Sequence, residues 1–430
     1  MQTLTVFQVG DVHFPDHNTP GADIKDDRLP QALIEASTAS ALQGATRALL
    51  NAIEEAPGAL LVFTGDLTSR GNLAEYDNCV RFLEQAFQLS DATKWNPQQV
   101  HVVPGNHDVD RAVAKSAPPD DLLSKFAPLV AAWAAVGLDV LAVGELRHTT
   151  ITAAPSALNA YGLNSCIGCG ERRALPKQLE EQLRVAMTDL GVSDLDIESI
   201  ITAAIAPNDE VIDAPAYSES VVDDLYQAIN GAPATSVAVV VAHHNLLQQA
   251  FPRFDVYTDL MNAGMLRSRL TSLGRAVLYL HGHIHSDPVE IVTQLSPDVG
   301  QLVCISAPEF ADGFNRVDVV FTDEGVPLGC VVQRFRVRLS GGTSKEPAVR
   351  IPFDREELSI SPLATTVVHA LMADPTCASV SDVRKAMALD DLTTDASLAS
   401  ALEEVEWLGL VVIMGRDKAA RRWRLAVVTS

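Results

Sequence analysis

Acidic, amide and imidazole side chains recur in this chain at one kind of place, just past a short apolar run. Asp11-Val-His13 follows Leu4 to Val9, Gly65-Asp66 follows Leu60 to Phe63, and Pro104-Gly-Asn-His-Asp108 follows Val100 to Val103. His243 follows Val237 to Val241, and Gly282-His-Ile-His285 follows Ala276 to Leu280. A lone histidine is more often a surface or satisfied core residue than a ligand, but five such blocks in order are not a coincidence. Carboxylates, an amide oxygen and imidazoles are the donors that transition-metal cations take. Asp11 and His13 stand two residues apart, as do His283 and His285, so alternation past a strand turns both members of each pair to one side. Asp66 has two oxygens and can bridge two cations, while Asn106 offers an amide oxygen and His107 an imidazole.

The elements that must position these donors are legible in the same runs. Near-continuous Val, Ile and Leu with little alternation marks strands buried on both faces, and such sheets carry their sites at the carboxyl ends. Helix-like stretches over Ala39 to Glu55 and Glu75 to Gln88 complete a strand-helix rhythm of the α/β kind. Two Ala- and Leu-rich regions, about 110–143 and 186–230, predict helical insertions, either lids over the site or helices packed on the scaffold. From 301 to 337 strand patterns return, as in Leu302 to Ser306 and Val317 to Phe321, and predict a second sheet completing a layered core. Leu339 to Glu346 reads as a loop. A first domain over 1–350 is then followed by a unit over 359–430. Its helices are expected at Pro362 to Met372, Ser379 to Ala388 and Asp395 to Leu408, and its strands at Leu410 to Met414 and Arg422 to Val428. Three helices and a β-hairpin resemble a winged-helix domain.

A length of 430 residues suits two domains, and 47% hydrophobic with 20% charged residues excludes a mostly disordered chain. The net charge of -23 argues against a broad electrostatic grip on nucleic acid. Met1 to Gly10 carries no basic stretch, and no segment reaches the roughly 18 apolar residues of a membrane span, so a cytoplasmic protein with no membrane partner is expected. Of six cysteines only Cys166-Ile-Gly-Cys169 are closely spaced, and no second such pair completes a zinc site. Reduced thiols are the expectation.

The five blocks, in this order, resemble the calcineurin-like metallophosphoesterase superfamily, over about residues 4 to 336. The resemblance implies an α/β fold, a layered β-sandwich flanked by helices in the order α-β-β-α, and a metal-dependent phosphoric ester hydrolase. It implies two divalent or trivalent ions, Mn, Fe or Zn. Position by position, one ion is implied at Asp11, His13, Asp66 and His285, the other at Asp66, Asn106, His243 and His283. His107 corresponds to the family's catalytic histidine that protonates the leaving oxygen, with Asp108 beside it. Two cations about 3.5 to 4 Å apart bind phosphoryl oxygens and lower the pKa of a bridging water, whose hydroxide form attacks phosphorus in line. His107, if protonated, donates to the departing alkoxide.

Within the superfamily, Gly65-Asp-Leu-Thr-Ser-Arg-Gly71 with Glu75-Tyr76 resembles the cyclic-nucleotide phosphodiesterase branch, as do Leu163-Asn-Ser-Cys166 and Leu175-Pro-Lys-Gln178. Protein phosphatases carry Asp before the Arg and Glu after Gly-Asn-His, where this chain has Ser69 and Asp108. The branch implies a phosphodiester substrate, a nucleotide or similar small diester. Arg70 and His244 are the substrate-binding candidates; a surface salt bridge for Arg70 and a packing role for His244 are the bland alternatives. His17 reads as a loop residue. The alternative function is a DNA or RNA nuclease, or a partner-recruited effector, because repair nucleases share all five blocks and also carry C-terminal elements. Acid-rich insertions in place of basic flanks speak against it. In the C-terminal unit the third helix carries Glu403, Glu404 and Glu406, whereas the hairpin carries Arg416, Lys418, Arg421, Arg422 and Arg424 against Asp417. A protein partner or self-association is therefore expected there ahead of nucleic acid.

Overall fold

The computed structural model describes residues 1–14, 40–68, 73–96, 99–117, 121–144, 146–171, 183–188, 190–205, 212–247, 259–286, 288–293, 300–338, 342–353, 360–387, 393–416 and 418–428. In chain order its strands are β1 (Gln2–Val9), β2 (Leu60–Phe63), β3 (Val100–Val102), β4 (Arg147–Ala153), β5 (Ser156–Gly162), β6 (Gly168–Glu171), β7 (Ile212–Ala214), β8 (Ser236–Val241) and β9 (Val277–His281). They continue with β10 (Val289–Val292), β11 (Leu302–Ser306), β12 (Gly313–Phe321), β13 (Pro327–Val337), β14 (Thr343–Lys345), β15 (Val349–Pro352), β16 (Val411–Met414) and β17 (Arg424–Val427). The helices are α1 (Ser40–Glu54), α2 (Leu73–Phe87), α3 (Arg111–Ser116), α4 (Ala127–Ala135), α5 (Asp194–Ile205), α6 (Glu219–Asn230) and α7 (Ala263–Thr271), then α8 (Pro362–Ala373), α9 (Val380–Ala386) and α10 (Asp395–Trp407).

Two sheets face each other. One runs β14-β13-β12-β1-β2-β3 with β15 also on β13, and the other runs β10-β11-β9-β8-β5-β4. The apolar runs show little alternation because both of their faces are covered. Leu4 and Val6 of β1 join Leu60, Val62, Val239, Val241, Leu278 and Leu280 in the layer between the sheets. Phe7 and Val9 turn the other way, against Leu42 and Leu49 of α1 and Val80 and Leu83 of α2. Val240 and Tyr279 pack outward against Leu225 of α6 and Leu266 of α7. The result is a mixed α/β fold of two sheets between two helical layers. A polar tie crosses the middle: buried Gln8 donates through Nε2 to His281 O and Ile305 O at 3.0 and 2.9 Å.

Three local expectations change. The 301–337 segment builds no sheet of its own: β11 pairs parallel to β9, and β12 pairs antiparallel to β1. The outer edges of β1 and β9 would otherwise leave backbone donors and acceptors unpaired in the core. The expected loop over 339–346 includes β14, because β13 spans eleven residues and its edge accepts both β14 and β15. Within 186–230, Ile212-Asp-Ala forms a strand rather than a helix turn, paired with β6 and ended by Pro215. Within the 110–143 insertion, Leu129, Ala132 and Trp133 of α4 are buried in the core against α2, as in the scaffold-packed alternative.

Helices α8, α9 and α10 and the β16-β17 hairpin close around a core of their own that includes Val367, Leu371, Val383, Leu402, Val405, Trp423 and Leu425. Ser361, Ser379 and Thr394 cap the three helices by accepting backbone N–H groups. This unit docks on the first sheet through Trp407, which clusters with Val320 and Leu328, while the Arg350 guanidinium lies 4.6 Å from the ring. Among the described residues no helix is long and apolar enough to cross a membrane.

Candidate metal centre

The donors converge where β1, β2 and β3 of one sheet and β8 and β9 of the other end side by side. Asp11, His13, Asp66, His283 and His285 all adopt positive φ, at 47°, 45°, 50°, 72° and 51°. Side chains bearing a Cβ rarely take that region, and each instance costs on the order of 1–3 kcal/mol that the surroundings must offset. Backbone ladders hold the turns in place. Asp11 N donates to Gly65 O at 3.2 Å and His13 N to Asp66 O at 2.9 Å, so the turn after β1 rides on the turn after β2. His283 N donates to both Asp11 carboxylate oxygens at 3.1 Å, and His107 N donates to Asp66 Oδ1 at 2.8 Å. Gly105 has to be glycine, since a Cβ there would lie 2.1 Å from Asp66 Oδ1.

Two donor groups result. Asp11, His13, Asp66 and His285 bring their ligating atoms within 4.8 Å of one another, and so do His243, His244 and His283. Asp66 stands between the groups, with Oδ2 3.3 Å from His243 Nε2. Asn106 Oδ1 lies 3.0 Å from the same nitrogen. His243 Nδ1 donates to Thr64 O at 2.8 Å, which turns Nε2 toward the two oxygens. His13 Nε2 and His285 Nε2 approach to 3.3 Å. Lone-pair donors this close repel one another unless a proton or a cation lies between them, so the set suits metal ions. Burial would lower the His243 pKa, yet the Asp66 carboxylate beside it overcomes this and holds it up at about 10. Burial likewise opposes ionisation of Asp66, but His243, His107 and His13 carry its pKa well below the usual carboxylate range. The field that favours a proton at this spot favours a metal cation equally.

The calcineurin-like phosphoesterase model matches residues 4–287 of the 430. The chain belongs to the calcineurin-like phosphoesterase family. That family works with a dinuclear metal centre, and the His and Asp groups of this chain could hold metal. A search of curated proteins finds no match. Among solved structures, a 5'-nucleotidase precursor from Thermus thermophilus is 14% identical with a TM-score of 0.35, over 82% of this chain and 55% of that one. A purple acid phosphatase from yellow lupin seeds is 10% identical with a TM-score of 0.42, over 82% and 54%. The phosphopantetheinyl hydrolase of Mycobacterium tuberculosis is 14% identical with a TM-score of 0.33, over 71% and 89%. The phosphoesterase therefore spans little more than half the length of the first two, and likeness at this level assigns no substrate.

In the phosphoesterase the remaining predicted residues separate. The His107 ring stands edge-on to the His13 ring with centroids 5.2 Å apart, beside the first donor group. Asp108 faces away from both groups. Its buried carboxylate accepts from Gly105 N at 2.9 Å, Leu67 N at 3.1 Å and Thr68 N at 3.0 Å. Burial and the nearby Asp66 charge push its pKa up to about 6. Asp108 is a brace for the turn that carries Asp66. His244 is buried behind His243 and His283, with Nδ1 2.8 Å from Ser165 Oγ, and burial drives its pKa well below the ordinary histidine value. The nearest polar partner of its ring is thus Ser165, on the side of the loop after β5. Arg70 and His17 lie outside the described residues.

Two residues with no sequence signal also serve the site. Asp213 of β7 accepts from Asn106 Nδ2 at 3.3 Å and pairs with Arg111 at 3.2 Å, which fixes the Asn106 amide with its oxygen toward His243. Glu309 stands 3.9 Å from His285 Nδ1. Neither belongs to a recognisable block, and only the fold brings them near.

Proposed function

We propose that this chain is a metal-dependent phosphoester hydrolase that cleaves phosphodiesters, of a nucleotide or similarly small diester, with His107 as the general acid. One ion is assigned to Asp11, His13, Asp66 and His285, the other to Asp66, Asn106, His243 and His283. The observation that carries this reading is the position of Asp66, buried between the two groups with one oxygen 3.3 Å from His243 Nε2 and the other accepting the His107 N–H at 2.8 Å. Bound manganese, iron or zinc supplies Lewis acidity toward phosphoryl oxygens and toward a nucleophilic water. His107, tethered to Asp66 through its backbone, donates a proton to the departing alkoxide. Asp108, Asp213 and Glu309 keep the donors in register.

The diester preference rests on the sequence from Gly65 to Tyr76, and its described members Leu67, Thr68 and Tyr76 share one buried partner. Leu67 N, Thr68 N and Thr68 Oγ1 all donate to the Asp108 carboxylate, and Tyr76 OH donates to Asp108 O at 2.7 Å. For the C-terminal unit, read as winged-helix-like, protein docking or self-association is supported over nucleic-acid binding. Its third helix is turned to other work: Glu403 and Glu406 pair with Arg416 of the hairpin, and Trp407 lies against β13.

The test is a panel of substrates with Mn, Fe or Zn: an aryl phosphodiester, cyclic nucleotides, a phosphomonoester, and single- and double-stranded DNA and RNA. Asp66→Asn is expected to abolish turnover. His107→Ala is expected to cost about 10²–10⁴-fold on alkyl diesters and much less on the aryl diester, whose leaving group needs no proton. An inactive wild-type protein on every diester refutes the reading, and nucleic acid cleaved while cyclic nucleotides are spared refutes the substrate.

A further inference from the structure

Beside the oxygen- and nitrogen-lined centre the fold gathers a different set of donors. Cys166, Cys169 and His244 each present one ligating atom within 4.8 Å of the others, and all three residues are buried. Cys166 Sγ is 3.9 Å from His244 Nδ1. Ser165 Oγ lies 2.8 Å from that nitrogen and 4.0 Å from that sulfur. Ligands about 2.0–2.3 Å from a tetrahedral zinc lie roughly 3.3–3.8 Å from one another. The Cys166–His244 separation lies just above that range and the Ser165–His244 separation below it, so the side chains must shift by several tenths of an ångström to take an ion.

The turn that carries the sulfurs has the form such a site needs. Two residues separate the cysteines, a common ligand spacing, and Cys169 N donates to Cys166 O at 3.0 Å. Gly170 follows at φ +76°, where a Cβ would also meet Val109 Cγ1 at 2.6 Å. Lys125, only 2% exposed, sends its ammonium into this turn and donates to Cys169 O at 2.8 Å and to Ile167 O. Burial pushes the Cys166 thiol well above its ordinary value, so Cys166 stays a thiol until a metal ion takes the place of its proton. Two thiolates, one neutral imidazole and a divalent ion sum to zero charge within the ligand set, and the Lys125 ammonium beside it is taken up by the Ile167 and Cys169 carbonyls.

We infer that Cys166, Cys169 and His244, with Ser165 Oγ closing the set, hold a third, thiolate-ligated ion, with zinc as the expected occupant. Thiolate and imidazole donors select zinc over the harder cations, and on binding each thiol releases its proton to solvent. The sequence alone shows no second cysteine pair; His244, 75 residues past Cys169 in the chain, completes the set through the fold. The ion would act as a brace. It would tie the loop after β5 to the end of β8, where His243 stands, and binding would give up, with the proton, the bond that the Cys166 thiol donates to Pro104 O at 3.4 Å.

Cobalt reconstitution of the full chain tests this, because a cobalt–thiolate bond gives an intense near-ultraviolet charge-transfer band that oxygen and nitrogen ligands do not. Wild-type protein is expected to bind three ions per chain by elemental analysis and to show the band. Asp66→Asn is expected to lose the dinuclear ions and keep the band. Cys169→Ser is expected to lose the band and one ion. The wild-type spectrum requires no variant to fold. A fully cobalt-loaded wild-type protein without the band, or Cys166 and Cys169 recovered from the native protein as a disulfide by mass spectrometry, overturns the inference.

Discussion

Gly105→Ala isolates the geometry of the metal centre in one methyl group. Gly105 has φ -101° and ψ 179°, which alanine adopts freely, so the substitution carries no backbone penalty. The cost is contact. The new Cβ would lie 2.1 Å from Asp66 Oδ1 and 2.3 Å from Asp66 N. Because one of those atoms is backbone, no rotamer relieves the overlap, and van der Waals separation requires the Asp66 turn and the Gly105 turn to part by about 1 Å. A misplacement of that size costs on the order of 10²-fold in rate, or about 2.7 kcal/mol of barrier. The displacement also strains the His107 N–H bond to Asp66 Oδ1 at 2.8 Å. The assay is kcat/KM on an aryl phosphodiester with metal content measured in parallel, and Gly264→Ala serves as the control, since nothing lies within 4 Å of a Cβ there. Gly264→Ala should keep full activity. Gly105→Ala with wild-type kcat/KM and metal content would refute the claim that this close approach sets the position of the shared carboxylate.

Other perturbations probe the supporting layer. Asp213→Ala releases the Asn106 amide, and metal affinity by calorimetry, or activity, is expected to fall about 10–100-fold. Asp108→Asn turns an amide N–H₂ toward backbone donors, so activity should drop while the pH at which turnover rises on the acid side stays where the wild type has it; a moved acid limb would make Asp108 a proton carrier. In the C-terminal unit, burial would raise the Glu406 pKa, but the Ile413 N–H and the Arg350 and Arg416 guanidinium groups outweigh it and hold it below the ordinary glutamate value. A carboxylate depressed in the folded state contributes stability above its unfolded pKa and loses it as pH falls through the lower folded value. Docking of this unit on β13 is therefore expected to loosen below about pH 4, and Glu406→Gln should flatten that dependence in a fluorescence titration of Trp407.

Asp108 joins residues that stand apart in the sequence. Leu67, Thr68 and Tyr76 look like separate signature positions in the sequence, but in the fold they close on one buried residue. Its carboxylate fastens the Asp66 turn to the Gly105 turn, and Tyr76 fixes its carbonyl. Those letters therefore govern how rigidly the shared carboxylate is held.

Local pattern alone determined the strands that end in donors and the identity of those donors. A run such as Leu60–Phe63 is apolar on both sides only if both faces are covered, and the residue types after each run are chemistry that survives without a structure. The C-terminal helices were legible for a related reason, since their caps and apolar spacing are local. Pairing partners were not. Nothing in Leu302–Ser306 or Gly313–Phe321 says which sheet they join, because that depends on which edges the earlier strands leave unpaired. Nor could the sequence separate His107 from Asp108: adjacent residues point to different places, one ring beside His13 and one carboxylate into the backbone. Asp213, Glu309 and the meeting of Cys166, Cys169 and His244 came from tertiary structure alone, because contacts between residues tens to hundreds of positions apart follow from packing and leave no local periodicity to read.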